Sequence, residues 1–84
     1  MSYRIQIERK ALKALEAIPA QDRERIRAAI RALMQEPRPA GCKKLRESVN
    51  WRIRVGSYRV VYRIEEGQLL VLVIKIGHRR DVYR

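Results

Sequence analysis

The chain has few of the residues that build disulfide-rich, metal-binding or membrane-spanning proteins. Its 84 residues include one cysteine, one histidine and no phenylalanine. The single cysteine, Cys42, cannot form a disulfide within the chain and has no second thiol with which to hold a metal. No apolar run approaches the roughly 20 residues that cross a bilayer, and the first residues lack the apolar core of a signal peptide. We therefore expect one cytoplasmic domain over residues 1–84, with no cofactor, no metal and no membrane contact.

Acidic residues are also scarce. Nine Asp and Glu stand against 20 Lys and Arg, for a formal net charge of +11. Residues 38–84 hold twelve of the basic residues and only four of the acidic ones, so the second half carries most of the excess. Such an imbalance in a small chain indicates a polyanionic partner, most plausibly a nucleic acid. An anionic membrane is the competing interpretation, but no amphipathic helix has an unbroken basic face beside large apolar anchors.

The spacing of apolar residues predicts the element order β-α-α-β-β-β. Residues 3–7 alternate between apolar and polar, as a strand does. Apolar residues at helical spacing follow in two segments that end at prolines, residues 8–18 and about 21–34. After a basic loop, three further strands are predicted at residues 51–55, 58–64 and 69–76, and Gly77 is expected to end the last one. We predict an α+β fold, in which a helical hairpin packs on a small, mainly antiparallel sheet.

The turn at Gly56-Ser57 predicts which residues of the first hairpin face each other. A two-residue turn sets Arg54 directly opposite Arg59. Alternation then places four arginines on one face of the hairpin: Arg52, Arg54, Arg59 and Arg63. The aromatic residues Trp51, Tyr58 and Tyr62 lie on the other face, where we expect them to pack in the core. Like charges directly opposite destabilise a sheet by roughly a few tenths of a kcal/mol. The pair therefore indicates an anion bound between the two arginines, unless both side chains splay into water, where salt screens the repulsion.

The second hairpin is expected to bring the end of the chain to the same place. A turn centred on Glu66-Gly67 would pair Ile64 with Leu69 and Tyr58 with Lys75. The residues after Gly77 then emerge beside the paired arginines of the first hairpin. The predicted catalytic group consists of Arg54, Arg59, His78, Arg79 and Tyr83.

This group has the chemistry needed to cut RNA without a metal. Attack of a ribose 2′-OH on the adjacent phosphate leaves a 2′,3′-cyclic phosphate, and the negative charge that develops can be stabilised by guanidinium groups. Arginine stays charged and is a poor base, so proton transfer needs another residue. His78 is one candidate, because histidine is the usual acid or base of enzymes, and Tyr83 is the second; a lone histidine is more often structural than catalytic. No carboxylate cluster accompanies the basic residues to support a metal mechanism.

Four segments resemble toxins of the RelE family: KLR at 44–46, WRIRV at 51–55, GSYRVVY at 56–62 and IGHRRDVY at 76–83. The resemblance covers almost the whole chain and implies an mRNA endoribonuclease that cuts in the ribosomal A site without a metal. It also implies a cognate antitoxin that neutralises the toxin by wrapping around it.

The functional positions of that family fall on Arg52 and on four residues of the predicted catalytic group: Arg54, Arg59, Arg79 and Tyr83. Some members have lysine where this chain has Arg52 and Arg54, so a general-base role does not transfer to those two positions. The remaining basic residues near the patch are predicted to bind RNA together with Arg52: Lys43, Lys44, Arg46, Arg63 and Arg80.

Two other functions remain open from the sequence. ParE-like toxins share the fold but poison DNA gyrase by binding it, and they do not need the arginine, histidine and tyrosine set. A non-catalytic nucleic-acid-binding module would need only the charge.

Overall fold

Two helices pack on a five-stranded sheet in the computed structural model, which describes residues 2–78. The strands are β1 (Arg4–Ile7), β2 (Lys43–Lys44), β3 (Asn50–Val55), β4 (Tyr58–Glu65) and β5 (Leu70–His78). The helices α1 (Arg9–Glu16) and α2 (Ala20–Ala32) lie between β1 and β2 in the chain. The predicted α+β architecture is confirmed.

The sheet has the strand order β1-β5-β4-β3-β2. The neighbours β2, β3, β4 and β5 pair antiparallel, and only β1 runs parallel to its neighbour β5. A parallel pair needs a long crossover, and here the helical hairpin lies within the long connection between β1 and the rest of the sheet. The sheet is therefore mainly antiparallel, as predicted.

The hydrophobic core lies between the helices and one face of the sheet. Leu15 of α1 and Ile26 of α2 are buried against alternate residues of the central strands, including Val60 and Val73. Tyr62 is fully buried in the same layer, where its hydroxyl donates a hydrogen bond to the Pro37 carbonyl at 2.7 Å. The predicted packing of this tyrosine is confirmed, and the bond satisfies its one buried polar atom.

The arginines at positions 23, 27 and 31 of α2 differ in their exposure. Arg31 is exposed. Arg23 is half-buried and donates hydrogen bonds to the carbonyls of Glu16 and Ile18, at 3.2 and 3.4 Å. These carbonyls lie at and just beyond the C-terminal end of α1, where no further helical turn supplies donors. Arg23 therefore joins the two helices.

The basic loop contains a strand that was not predicted. Lys43 pairs with Arg52 and Lys44 with Trp51, which adds β2 to the edge of the sheet. Two residues are too few to show alternation, so periodicity could not reveal this strand.

The predicted register of the second hairpin is wrong. Ile64 pairs with Val71, and Tyr58 pairs with His78. The connection is longer than a tight turn, because a short 3₁₀ helix over Glu66–Gln68 is followed by Leu69 at φ 49°. Ordinary side chains rarely adopt that backbone conformation. A bulge next to Tyr62 shifts the register by one more residue.

Gly77 does not end the last strand. It lies within β5, which continues to His78. Neither of the two helices described has the length and apolar content needed to cross a membrane.

Candidate nucleic-acid interface

The face of the sheet that points away from the helices is rich in basic residues. On β4, Val60 and Tyr62 belong to the core beneath the helices, so alternation places Arg59, Val61 and Arg63 on the opposite face. We call this opposite face the arginine face.

One row across three strands carries the arginine pair predicted from the sequence. Arg54 of β3 lies directly opposite Arg59 of β4, and Arg59 lies opposite Gly77 of β5. The Arg54 side chain is exposed and Arg59 is half-buried. Gly77 adds no side chain to the row, so the two guanidinium groups are the only charged groups that these three positions contribute.

A second row lies two residues further along β3. It runs from Lys43 through Arg52 and Val61 to Lys75. Lys43 and Lys75 are exposed, but Arg52 is only 7% exposed, which was not expected of an RNA-binding residue. Lys75 was not among the predicted site residues, because the wrong register placed it opposite Tyr58. The sequence feature that could have identified Lys75 as a site residue is its charge within an otherwise apolar strand.

Arg63 is not brought together with the arginine pair. It lies four residues from Arg59 along β4, about 14 Å at the usual rise of a strand. Its Nε lies 2.8 Å from Oε1 of Glu65, which offsets part of its charge. This position therefore contributes less to the attraction of an anion than its place in the alternation suggested.

His78 is also separated from the arginine pair. It pairs with Tyr58, whose neighbours in the alternation belong to the core face, and Arg59 pairs with the preceding residue, Gly77. The rings of Tyr58 and His78 meet edge to face, with their centroids 6.0 Å apart. Alternation thus directs His78 away from the arginine face, although it stands at the same end of the sheet.

The segment that carries the predicted RNA-binding lysines contacts the sheet through Arg38, near the start of the segment. Arg38 forms an ion pair with Glu66, and its guanidinium carbon lies 5.1 Å from the centroid of the Trp51 ring. The hydrogen bond to Glu66 raises the pKa of Arg38. Burial raises the pKa of the Tyr62 phenol, which therefore stays neutral while it binds the Pro37 carbonyl. These contacts hold the segment before β2 in place.

The other predicted RNA-binding residues have different positions. Lys44 pairs with Trp51, which places it on the helix side of the sheet, and Arg46 is exposed beyond the end of β2. Arg79, Arg80 and Tyr83 lie outside the described residues.

The arrangement can bind phosphate and stabilise negative charge. Planar guanidinium groups bind phosphate oxygens with two parallel hydrogen bonds, and Arg54 and Arg59 present two such groups from adjacent strands. Within residues 2–78, no three His, Cys, Asp or Glu side chains come close enough together to hold a metal ion.

Comparison with known proteins gives one consistent relationship. A family model described as the ParE toxin of the type II toxin–antitoxin system parDE matches residues 5–83. The toxin RelG of Mycobacterium tuberculosis is 32% identical over 91 aligned residues, which span all of this chain and 99% of RelG. The putative toxin RelE1 of Methanocaldococcus jannaschii is 26% identical over 88 residues, spanning 100% of this chain and 98% of that protein. Among solved structures, the archaeal RelE–RelB complex of Pyrococcus horikoshii contains a similar chain, with a TM-score of 0.85 and 27% identity over 98% of this chain and 100% of that one.

Proposed function

The chain belongs to the ParE toxin family of type II toxin–antitoxin systems, and we propose that this RelE-like toxin is an endoribonuclease that cuts mRNA on the ribosome. The likeness to RelG and RelE1 over the full length of the chain supports a RelE-type activity. Because its substrate is mRNA under translation, the toxin would act in the cytoplasm as one catalytic domain over residues 1–84.

The observation that carries this proposal is the pairing of Arg54 with Arg59 on the open face of the sheet. Like charges at directly opposite positions disfavour a sheet, and a phosphate bound between the two side chains would favour it. The core does not need either side chain, since both lie on the face opposite the helices. An anion-binding role accounts for both residues together.

The proposed reaction is an in-line transfer at one phosphodiester. The ribose 2′-oxygen bonds to phosphorus while the bond from phosphorus to the 5′-oxygen breaks. The products are a 2′,3′-cyclic phosphate and a 5′-hydroxyl. Arg54 and Arg59 bind the non-bridging oxygens and stabilise the charge that grows on them, and Arg79 is proposed to join them.

Two protons must move in this reaction, one from the 2′-OH and one to the 5′-oxygen. His78 faces the other side of the sheet from the arginine pair and contacts Tyr58. We therefore assign both transfers to Tyr83 rather than to His78: its hydroxyl donates a proton to the departing 5′-oxygen, and the phenolate so formed takes the proton of the 2′-OH. The aromatic ring of Tyr83 would also give a base of the single-stranded RNA a surface on which to stack.

A cognate antitoxin is the second proposed partner. RelE from P. horikoshii is known in complex with RelB. The net charge of +11 suits a partner that presents an acidic or amphipathic segment, and such a segment would mask the arginine face.

The description of the matching family as ParE toxins favours one alternative, inhibition of DNA gyrase by binding. The two functions differ in what the arginine face must do. A gyrase poison needs a surface for a protein, whereas the nuclease needs the guanidinium groups at a phosphate. A supercoiling assay with purified gyrase separates them, and we expect no inhibition at toxin concentrations that stop translation.

Ribosomes programmed with a defined mRNA provide the direct test. We expect the purified toxin to cut the message in the A site, leaving a 2′,3′-cyclic phosphate and a 5′-hydroxyl at the new ends. Replacing the 2′-OH at the cut position with hydrogen should abolish cleavage, because the nucleophile is gone. New ends that carry a 5′-phosphate, or cleavage of the deoxy substrate, would contradict the proposed reaction.

A further inference from the structure

The arginine face has an apolar area among its charges. Val61 of β4 is only 5% exposed, although alternation places it on this face and it does not belong to the core cluster beneath the helices. Leu45, which follows β2, and Ile74, which has no partner in the pairing of β5 with β4, are half-buried and line the same groove as Val61. Apolar side chains contribute nothing to the binding of a phosphate, so this area indicates a ligand that also has an apolar part.

The groove has a volume of about 630 Å³ and crosses β3, β4 and β5. Its remaining lining residues are polar: Asn50 of β3, Lys75 of β5, and Glu8, Arg9 and Lys10 at the start of α1. The four charged residues among them are exposed and form no ion pair within residues 2–78. Apolar walls with a few polar groups fit a flat ring with polar edges.

The polar residues of the groove carry both signs of charge. The Glu8 carboxylate repels a phosphate, but a carboxylate can accept a hydrogen bond from the amino group of a base. The ammonium groups of Lys10 and Lys75 can donate to ring nitrogens and carbonyl oxygens. Nucleobases have donors and acceptors side by side on their edges and apolar faces above and below the ring. The groove therefore matches a nucleobase more closely than a phosphate.

Asn50 provides the group best suited to recognise such a base. Within residues 2–78 its Oδ1 is buried without a hydrogen-bond partner, and its amide nitrogen forms no hydrogen bond. Its backbone is held on both sides, because its N–H donates to Oγ of Ser48 and its carbonyl accepts from the Leu45 N–H, each at 2.9 Å. Rotation about the last side-chain bond can turn either polar group of the amide towards a ligand. A buried acceptor without a partner is unfavourable, so a ligand that donates to Oδ1 gains from the contact.

The groove lies next to the proposed cleavage site. Val61 is two residues from Arg59 along β4, which corresponds to about 7 Å. A nucleobase and the phosphate attached to its own ribose are separated by a distance of the same order. A strand whose reacting phosphate lies at Arg54 and Arg59 can therefore place the base of an adjoining nucleotide in the groove.

We propose that this groove is a base-binding subsite, which holds the nucleobase beside the phosphodiester that is cut, and that Asn50 selects adenine there. The inference rests on the proposed nuclease function for its choice of ligand. An asparagine amide binds adenine with two hydrogen bonds, because its oxygen accepts from the 6-amino group while its nitrogen donates to N7. Leu45 and Val61 pack against the ring. Asn50 is then a specificity-determining residue, which sets where the toxin cuts a message.

Binding of dinucleotides that cannot be cleaved tests the subsite without ribosomes. Each probe has one phosphodiester, 2′-O-methyl riboses and uracil on one side. The other side carries adenine, purine (adenine without its 6-amino group) or no base, and each probe is made in both orders. In one of the two orders, the toxin should bind the adenine probe about fivefold more tightly than the purine probe, the effect of one hydrogen bond. It should bind the purine probe about tenfold more tightly than the abasic probe, the effect of burying one face of the ring.

Three variants separate the two contributions. Asn50→Leu replaces the amide with an apolar group of similar size, so it should bind the adenine and purine probes equally and still prefer purine to no base. Leu45→Ala should reduce the preference for purine over no base and keep the preference for adenine over purine. Gln21→Met makes a similar replacement at an exposed amide of α2 and should keep both preferences. Each preference is a ratio measured within one variant, so a partial loss of stability affects both probes alike.

The outcomes separate this inference from the proposed function. Equal binding of the three probes in both orders by the parent toxin would show that the groove holds no base. An undiminished preference for adenine in Asn50→Leu would show that this residue does not select the base. Either result overturns the inference and leaves cleavage on ribosomes untouched. Conversely, a toxin that shows both preferences but does not cut mRNA would retain the subsite and lose the nuclease function.

Discussion

Arg54 and Arg59 are placed against each other by the shortest connection in the sheet. The Gly56-Ser57 turn leaves no freedom in the pairing of the residues beside it, and Gly56 adopts φ 58° to make the turn. Both side chains thereby leave the backbone on the same face of the sheet before any ligand arrives. Donors that are already in position cost little reorganisation when charge develops on a phosphate.

Replacing Arg59 with alanine should slow cleavage by about 10²-fold or more, the scale for losing one preorganised donor to a transition state. Its side chain lies on the face opposite the helices, so the variant should still fold. The rate should be measured in single turnover with saturating ribosomes, which separates the chemical step from docking.

Arg27→Ala is the control for that experiment. Arg27 is also half-buried but lies on α2, where it pairs with Glu24 at 3.5 Å. Its cleavage rate should stay within a few-fold of the parent rate. If Arg59→Ala also cuts at the parent rate, the reacting phosphate does not lie at the arginine pair.

At the scale of elements, β5 decides which side chains can meet on the arginine face. A regular strand would keep one alternation from Leu70 to His78. The bulge pairs Val61 with Lys75 and Tyr62 with Val73, so Ile74 is an extra residue that has no partner in the pairing. Beyond this point the faces of β5 are exchanged relative to an unbroken alternation. Lys75 and Gly77 thereby share a face with Arg59, and His78 does not.

His78→Ala should therefore lower the single-turnover rate by no more than a few-fold. The side chain is exposed and faces away from the arginine pair, so folding should also be preserved. Tyr83→Phe, which removes only the hydroxyl, should cause a larger loss if Tyr83 transfers the proton. A loss of 10²-fold or more in His78→Ala alone would identify the histidine as the acid or base and overturn this assignment.

At the scale of the whole molecule, the residues that stabilise the fold and the charged residues proposed to bind RNA lie in different layers. The helices and one face of the sheet form the apolar core, and the opposite face carries charged rows from four strands. Six basic residues of the second half therefore gather at one surface without weakening the core: Lys43, Arg52, Arg54, Arg59, Arg63 and Lys75. A surface of this kind attracts any polyanion, so we expect a partner to cover it when the toxin is idle.

Expression of the toxin alone should stop growth, and co-expression with the adjacent reading frame should restore it. The physical reason is the binding of an antitoxin segment over the arginine face, which excludes RNA from it. The Arg59→Ala variant should be less toxic at equal protein levels. Harmless expression of folded parent toxin in several hosts would remove the support for this role.

Much of the molecule follows from the sequence because its signals are local. Alternation identified β1, β3 and β4, an apolar run identified β5, and helical spacing identified the helical hairpin. The Gly56-Ser57 turn predicted the pairing of Arg54 with Arg59, and the excess of basic residues indicated a polyanion. Each of these signals depends on residues close together in the chain.

Only the tertiary structure decided the rest of the site. Leu69 adopts a positive φ that its residue type does not predict, and the bulge at Ile74 depends on two strands together. These two features set the register of the second hairpin, and with it the placement of Lys75 on the arginine face and of His78 away from it. Arg52 is buried where it pairs with Lys43 of β2. A strand of two residues is too short to be predicted from alternation, so this burial could not be predicted either. Register and burial arise from contacts between distant segments, and the alternation of a single strand contains no information about them.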